Sequence, residues 1–383
     1  MHNYLMICNA YPTMGNLYAN SFLHRRVKAY QQKGLFVDVV VITTKVKKDE
    51  FYDGVHIKYM DEYQIASYLQ EHSFKTVLFH FINPKMFYGI DQLPSHRKPN
   101  IVVWLHGFEA EAWHRRYYNF LSDVGQLDAQ LQRKEIVFEP QREFLRDIMT
   151  REELNIKFVY VSKRFKELYV DPFVGVVPER NYVIHNIIDD ALFTYKKKTK
   201  DDRLNICSIR PYTAKNYAND ITVDVIKKLS TKRYFNKLEF NLYGDGKLFN
   251  VITNPLKKFD NVHLHKGFVK QDDIPEIHQA HGIFLGPSRH DSQGVSLGEA
   301  MSSGLVPVTN AIGGIPEFIE HKKTGMLAER DNLDDMVDAI DYLYKHTKEF
   351  KKISQQAAAS IRKQAGVETV INQEIEVITD GWS

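Results

Sequence analysis

Cysteine is scarce in this sequence: Cys8 and Cys207 are the only two in 383 residues. Each sits in an apolar, strand-like run, so buried reduced thiols are expected, and neither a disulfide framework nor a zinc site follows. No apolar run approaches the ~20 residues needed to span a bilayer. The opening residues, MHNYLMICNAYP, have no basic stretch ahead of their apolar run and read as a strand rather than a signal peptide. Net charge is slight, 51 basic against 48 acidic residues. That balance excludes a dedicated nucleic-acid binder, though not local basic patches. Short-period repeats, low-complexity tracts and Asp-x-Asp pairs are also missing. What is left is ordinary hydrophobic content over a length that suggests two or three domains.

The most informative stretch runs from Gly282 to Leu327. The apolar run Ile283 to Leu285 has the length of a buried strand. A polar loop, Pro287 to Gln293, leads to Gly294, which opens a helix through Val295, Leu297, Ala300 and Met301. Ser303-Gly304 stops it, Val306 to Thr309 forms the next strand, and a Gly-Gly turn at 313–314 leads to another helix start at Pro316. Strand, loop, helix, strand is a βαβ unit of a parallel sheet. Asp291 lies before the helix and Glu299 about a turn inside it, on the order of 10 Å away. Between them the backbone N–H groups of Gly294, Val295 and Ser296 are expected to be free, and such a helix start attracts phosphate. Acid, anion site and second acid in line suit a ligand with hydroxyls at both ends and phosphates between, the layout of a nucleotide-sugar. An N-capping acid and a surface glutamate on an ordinary helix would leave the same letters.

The same α/β grammar fills the rest of the chain. A strand at Tyr4 to Cys8, a loop containing Gly15, a helix from about Ser21 to Lys33 and a strand at Phe36 to Thr43 form a first βαβ unit. Gly15 stands where ligands approach an open α/β sheet, or is a plain turn glycine. Further strands fit Thr76 to Phe81, Ile101 to Leu105 and Lys157 to Val161. His106-Gly107 follows its strand's carboxyl end, where a histidine points into the crevice unless it is a satisfied structural one. Residues 109–151 set Trp113, Tyr117, Tyr118 and Phe120 beside His114, Arg115 and Arg116. That mixture suits an anionic surface or a glycan or lipid-phosphate acceptor; equally, it is a helical excursion packed on its own domain. Tyr195 to Arg203 is charged and reads as a linker. A second α/β run follows, with a strand at Leu204 to Ile209, a helix from about Asn219 to Thr231, strands LEFNLYG and VHLH, and Gly267. Arg210 and Lys215 stand in the loop after its first strand, where two cations can close on a diphosphate. After Gly325 the chain is mostly helical, and its last helix, roughly Glu368 to Ile378, carries an apolar stripe that must pack on something.

These motifs together resemble the retaining glycosyltransferases of family four, over nearly the whole chain and most closely over 204–327. The family's E-x7-E signature falls on Asp291 and Glu299, followed by EAM-x-x-G-x-P-V at 299–308, G-G-I-P-E at 313–317 and T-G-M-L at 324–327. The Arg…Lys pair lands on Arg210 and Lys215, and H-G at 106–107, V-S at 161–162 and I-H-N-I-I-D at 184–189 match further landmarks. The departure is Asp291 in place of glutamate, in a loop reading DSQGVS where EGFG is usual.

The resemblance implies a GT-B fold, two Rossmann-like α/β domains facing across a cleft. The expected division is 1–195 for the acceptor, with the excursion 109–151, then 196–365 for the donor, then a helix at 366–383 packing back on the first domain. It implies that Glu299 holds ribose hydroxyls and Asp291 those of the donor sugar. Arg210 and Lys215 would clamp the diphosphate, aided by the amides around Gln293, Gly294 and Val295 and by Gly15. His106 would lie near the donor sugar, and the base would rest against Gly267 and Phe268. The implied reaction is retaining transfer from a nucleotide-diphosphate sugar, UDP favoured, to a glycan or lipid-linked acceptor in surface polysaccharide synthesis. No metal or other cofactor and no nucleic-acid partner is expected. The expected location is cytoplasmic, with peripheral contact at the inner face of the membrane. A non-catalytic donor-binding subunit and a sugar-nucleotide epimerase are the alternatives on the same fold.

Overall fold

The computed structural model describes residues 3–16, 19–117, 121, 123–330 and 332–382. The chain divides into two compact units, residues 1–187 with 368–383, and residues 188–367. Each is an α/β layer structure built on its own sheet.

In the first unit the strands are β1 (Tyr4–Cys8), β2 (Val37–Ile42), β3 (Glu50–Tyr52), β4 (Val55–Met60), β5 (Thr76–His80), β6 (Asn100–Leu105), β7 (Ile156–Tyr160) and β8 (Asn181–Val183). They lie in the order β3-β4-β2-β1-β5-β6-β7-β8. All pairings are parallel except the β3–β4 hairpin at the edge. Central strands covered on both faces read as unbroken apolar runs, as β1 and β6 do. The order of β1 and β5 at the centre follows from the crossovers, and the ends of β1, β5 and β6 bring Tyr11, His80 and His106 to one side of the sheet. The hairpin has no counterpart in the sequence reading, because its three-residue first strand carries too few side chains to show an alternation.

The second unit holds β9 (Asn205–Ile209), β10 (Glu239–Gly244), β11 (Val262–Lys266), β12 (Ile283–Leu285), β13 (Val306–Asn310) and β14 (Met326–Ala328), in the order β11-β10-β9-β12-β13-β14. Every pairing is parallel. The order reverses between β9 and β12, and the loops leaving these two strands carry Arg210 and Asp291. This is the switch point at which open parallel sheets take ligands. Ile206, Ile283, Leu285, Val306 and Val308 form the centre of the core beneath it.

Several expectations need correction. The boundary lies at 187/188 rather than 195/196. Ile188 N–H donates to Ala365 O at 2.8 Å, while Ser302 Oγ and Arg362 Nη2 donate to Phe193 O at 2.7 and 2.9 Å. Likewise 196–203 is not a free linker. Lys198 is buried, and its ammonium donates to His278 O at 2.7 Å, capping the Ile274–Ala280 helix. Charge alone made that stretch look solvated. Pro316 starts only a single turn, Ile315–Glu317.

The excursion has two characters. Glu139–Thr150 sends Leu145, Ile148 and Met149 into the core of the first unit. Val124–Arg133, capped by Asp123 at the N–H of Gln126, buries no residue, and a wide turn at Lys134–Phe138 joins the two helices. Val124, Leu131, Ile136 and Val137 are exposed. Tyr118 and Phe120, singled out in the sequence, lie outside the described residues. No helix among the described residues is long and apolar enough to cross a membrane.

Candidate functional site

In the second unit, β9 ends at Ile209 and delivers Arg210 into the sheet interior. The backbone there is braced from β10. Arg210 N–H donates to Tyr243 O at 3.1 Å and Tyr212 N–H to Asp245 O at 2.7 Å. Such an approach requires glycine on the other side. A Cβ on Gly244, at φ +155°, would lie 2.0 Å from Arg210 O, and one on Gly246 would lie 2.4 Å from Tyr212 C. Gly267, after β11, donates its N–H to Gly244 O at 3.0 Å. The residues expected under the base are thus tied to those expected under the phosphates, with Phe268 exposed beside them.

The Arg210 guanidinium is buried and held from three sides. Nη1 donates to Ser296 Oγ at 3.0 Å, and Nη2 to the carbonyls of Gly286 and Pro287 at 3.3 and 3.2 Å. Burial lowers its pKa, while the neighbouring charge of Asp291 acts against the shift. Ser296 lies in the first turn of the Val295–Ser302 helix, so the cation stands beside the positive end of that helix. Its N-cap is Gly294 at φ +84°, with no capping side chain. A buried cation beside such a helix start makes a strongly positive point in a low dielectric.

Asp291 turns back on the amides at the helix start, close to the capping alternative that its place before the helix left open. Its Oδ1 accepts from the N–H groups of Gln293 and Gly294 at 3.1 and 2.6 Å. The Gly294 amide, expected to be free, is therefore occupied. A short aspartate arm curls back onto amides two and three residues on. The amides of Val295 and the residues just after it remain the helix's own unpaired donors. Asp291 O accepts from Gly314 N–H at 3.1 Å. Glu299 is buried, and its Oε1 accepts from Gln271 Nε2 at 3.0 Å.

Lys215 begins a short turn, Lys215–Tyr217, and is exposed. A clamp absent from the sequence reading holds this turn. Arg289 donates to both oxygens of Asp220 at 2.7 Å, and to Lys215 O at 2.8 Å. Asn310 secures the same loop by exchanging bonds of 2.9 and 2.7 Å with the main chain of Ser288. An arginine four residues after a strand and a buried asparagine at the end of the next were the only signals available.

His106 and Gly15 belong to the first unit. Gly15 is exposed at the tip of a tight Thr13–Asn16 turn. The His106 ring is buried among Phe22, Phe81 and His80, and does not stand out of the surface as its place after β6 suggested. Its Nε2 lies 2.9 Å from His80 Nδ1. Burial, then the charge of Arg26, holds its pKa well below the ordinary histidine value. Below it, Glu109 accepts from the N–H groups of His106 and Gly107. Burial raises the Glu109 carboxyl to about 7.

Comparison with known proteins places these features in context. Residues 195–360 match the family model described as Glycosyl transferases group 1. N-acetyl-alpha-D-glucosaminyl L-malate synthase of Bacillus anthracis is 30% identical over 135 residues, 34% of this chain and 35% of the relative. The chain spans about a third of the length of the first curated relatives it matches. Among solved structures, sucrose-phosphate synthase of Thermosynechococcus elongatus superposes with a TM-score of 0.74 at 12% identity, covering 98% of both chains. HepE of Anabaena, solved in complex with UDP and glucose, gives a TM-score of 0.69 at 14% identity over 99% of this chain and 100% of its own.

Proposed function

We propose, from the GT-B fold and the match of residues 195–360 to the glycosyl transferases group 1 family, that this chain transfers a sugar, with retention, from a nucleotide-diphosphate sugar to a glycan or lipid-linked acceptor. The observation that carries the reading is the buried Arg210 guanidinium beside the uncapped start of the Val295–Ser302 helix, between Asp291 and Glu299. Breaking a sugar–phosphate bond leaves growing negative charge on the diphosphate and oxocarbenium character on the sugar. Cations and amides fixed in place stabilise that leaving group more in the transition state than in the ground state. Arg210 and Lys215 then supply the charge that a metal would otherwise bring. The departing phosphate oxygen takes the acceptor's proton on the face from which it leaves. Glu299 holds the ribose, and the Asp291 carboxylate meets the sugar. HepE's UDP favours the same nucleotide here.

A thermal-shift panel of nucleotides and nucleotide-sugars tests this. A ligand that binds only the folded state raises Tm by mass action, about 2.7 kcal/mol of stabilisation at a hundred times Kd. UDP and one UDP-sugar are expected to raise Tm, equally with and without EDTA. A flat panel would remove the donor-site assignment, and a shift abolished by EDTA would remove the metal-independent one.

The exposed apolar residues of Val124–Arg133 and the following turn, with Arg133 and Lys134 among them, support peripheral contact with an anionic lipid surface. Binding to vesicles is expected to require anionic lipid and to weaken as salt rises, since exposed charges are screened beyond about 8 Å at physiological ionic strength. Binding that ignores salt, or none, would make this segment a packing element only.

A further inference from the structure

We propose that Phe81 and Phe108, just past the carboxyl ends of β5 and β6, form a platform that takes the acceptor by the apolar face of a pyranose ring. The inference rests on the reading of the chain as a sugar transferase. The two rings lie nearly parallel, 14° apart in plane with centroids 5.6 Å apart. Phe81 is backed by Phe22, edge-on at 6.0 Å, and by the His106 ring at 4.7 Å. Phe108 is the outer ring and is 45% exposed. One side chain clasps both loops. Gln141, in the first turn of Glu139–Thr150, donates through Nε2 to Ile82 O at 2.9 Å and to Glu109 O at 3.1 Å. Ile82 follows Phe81 and Glu109 follows Phe108, so the clasp sets one ring against the other. The Glu109 carboxylate accepts from the N–H groups of His106 and Gly107, which fixes the turn that carries Phe108. All of these residues belong to the first unit.

Packing alone does not account for this arrangement. A lone exposed phenylalanine is commonplace. Phe81, however, sits at φ +60°, a left-handed backbone that a bulky residue adopts only where its surroundings impose it. Strain of this kind gathers at ligand sites, and here it lies at the strand ends where open parallel sheets take ligands. The chemistry of the surroundings names the ligand. An aromatic face carries partial negative charge, and the C–H bonds on one face of a pyranose carry partial positive charge, so a sugar ring lies flat on such a platform. Its hydroxyls then need polar neighbours. Glu111 brings a carboxylate to the foot of the platform, with Oε1 3.6 Å from the place a Cβ on Gly107 would take. An acyl or isoprenyl chain gains nothing from a carboxylate and needs apolar side chains around it. The contact with His106 sets the platform beside the residue read as lying near the donor sugar, which is where an acceptor has to stand.

The test is saturation-transfer NMR on the full chain. The probes are the methyl glycosides of glucose, galactose, mannose and N-acetylglucosamine, with farnesyl phosphate as the lipid comparison. At least one glycoside is expected to take up saturation. Phe108→Leu keeps apolar bulk but no aromatic face, and is expected to weaken that binding about 2- to 10-fold, the worth of one aromatic contact. Phe108→Trp is expected to keep it. Gln141→Leu removes the donor that both loops share and is expected to weaken binding although both rings remain. Phe51→Leu serves as control, since Phe51 is 74% exposed on the β3–β4 hairpin and takes no part in the platform. Binding of no glycoside, equal binding by wild type and Phe108→Leu, or an equal loss in Phe51→Leu would overturn the proposal. So would farnesyl phosphate that displaces the glycoside and binds Phe108→Leu as well as wild type, which would make the surface a lipid site. UDP is expected to raise Tm equally in wild type and Phe108→Leu. A UDP shift without glycoside binding fails the platform alone, whereas Phe108-dependent glycoside binding without a UDP shift fails the transferase reading and leaves the platform standing.

Discussion

Lys215→Ala is expected to lower turnover by about 10²–10³-fold, the usual loss when one fixed donor to a developing negative charge is removed. The fold should survive. Lys215 is exposed, and its structural contribution is its main-chain carbonyl, which accepts from Arg289 Nη1 and which alanine retains. The loss should fall on kcat, with donor KM changing less, because the diphosphate gains charge as the bond breaks. Lys215→Arg should recover part of the rate, since it restores the charge with a different shape. Arg210→Ala would cut as deeply, but it also removes the donor to the Pro287 carbonyl and one of the two donors to that of Gly286, so Tm should fall with it. Steady-state transfer and thermal melts on the four proteins separate the two cases. A Lys215→Ala enzyme as fast as wild type would end the leaving-group assignment.

Gly313→Ala should be nearly as damaging, although residue 313 bears no chemical group. Gly313 sits at φ +54°, and an added Cβ would lie 1.8 Å from Asp291 O. The left-handed backbone costs an L-residue roughly 1–2 kcal/mol, and forcing the overlap apart adds about 1–3 kcal/mol. The relief can come only by moving Asp291, whose carbonyl accepts from Gly314 and whose carboxylate holds Gly294 at the helix start. A shift of about 1 Å in a positioning loop can cost on the order of 10²-fold in rate. The expected result is a Tm several degrees lower and a donor thermal shift that is much reduced. Alanine at Gly175, also at positive φ but with open space around its Cβ position, is the matched control for backbone strain alone. Equal donor shifts in the two variants would show that Gly313 serves only the turn.

The sequence makes the frame of the second unit legible because its signals are local. Ile283–Leu285 is apolar throughout, Gly294 and Gly304 bracket one helix, and β12 and β13 follow as read. Arg210 and Lys215 could be singled out because the loop after a strand end is where a parallel sheet takes ligands. Long-range chemistry was not legible. Asp291 read equally as a sugar-facing acid or as a cap, and only the folded loop shows its Oδ1 engaged by the amides of Gln293 and Gly294. His106 read as pointing outward, yet Phe22 from the first helix and Phe81 from another strand end cover it. Lys198 read as a solvated linker charge, because nothing near it in the chain announces the helix end it caps. The Arg26–Glu374 pair joins residues 348 positions apart, beyond any spacing rule.

That last separation bears on how the molecule is made. Residues 368–383 belong to the first unit, while 188–367 form the second, so the later unit is inserted in the earlier one. During synthesis, N-terminal domains fold as they emerge. Here the sheet of the first unit can assemble early, but Arg26, Trp104 and Tyr30 wait for Glu374, whose carboxylate they share. Until then a buried cation has no counter-ion. The nascent first unit is thus an incomplete body, open along the face that the final helix covers, and a fragment ending at 187 should inherit that condition permanently. A ribosome stalled inside the second unit would hold the same species: a folded sheet with an unclosed seam, a natural target for chaperones until residues 368–383 are released.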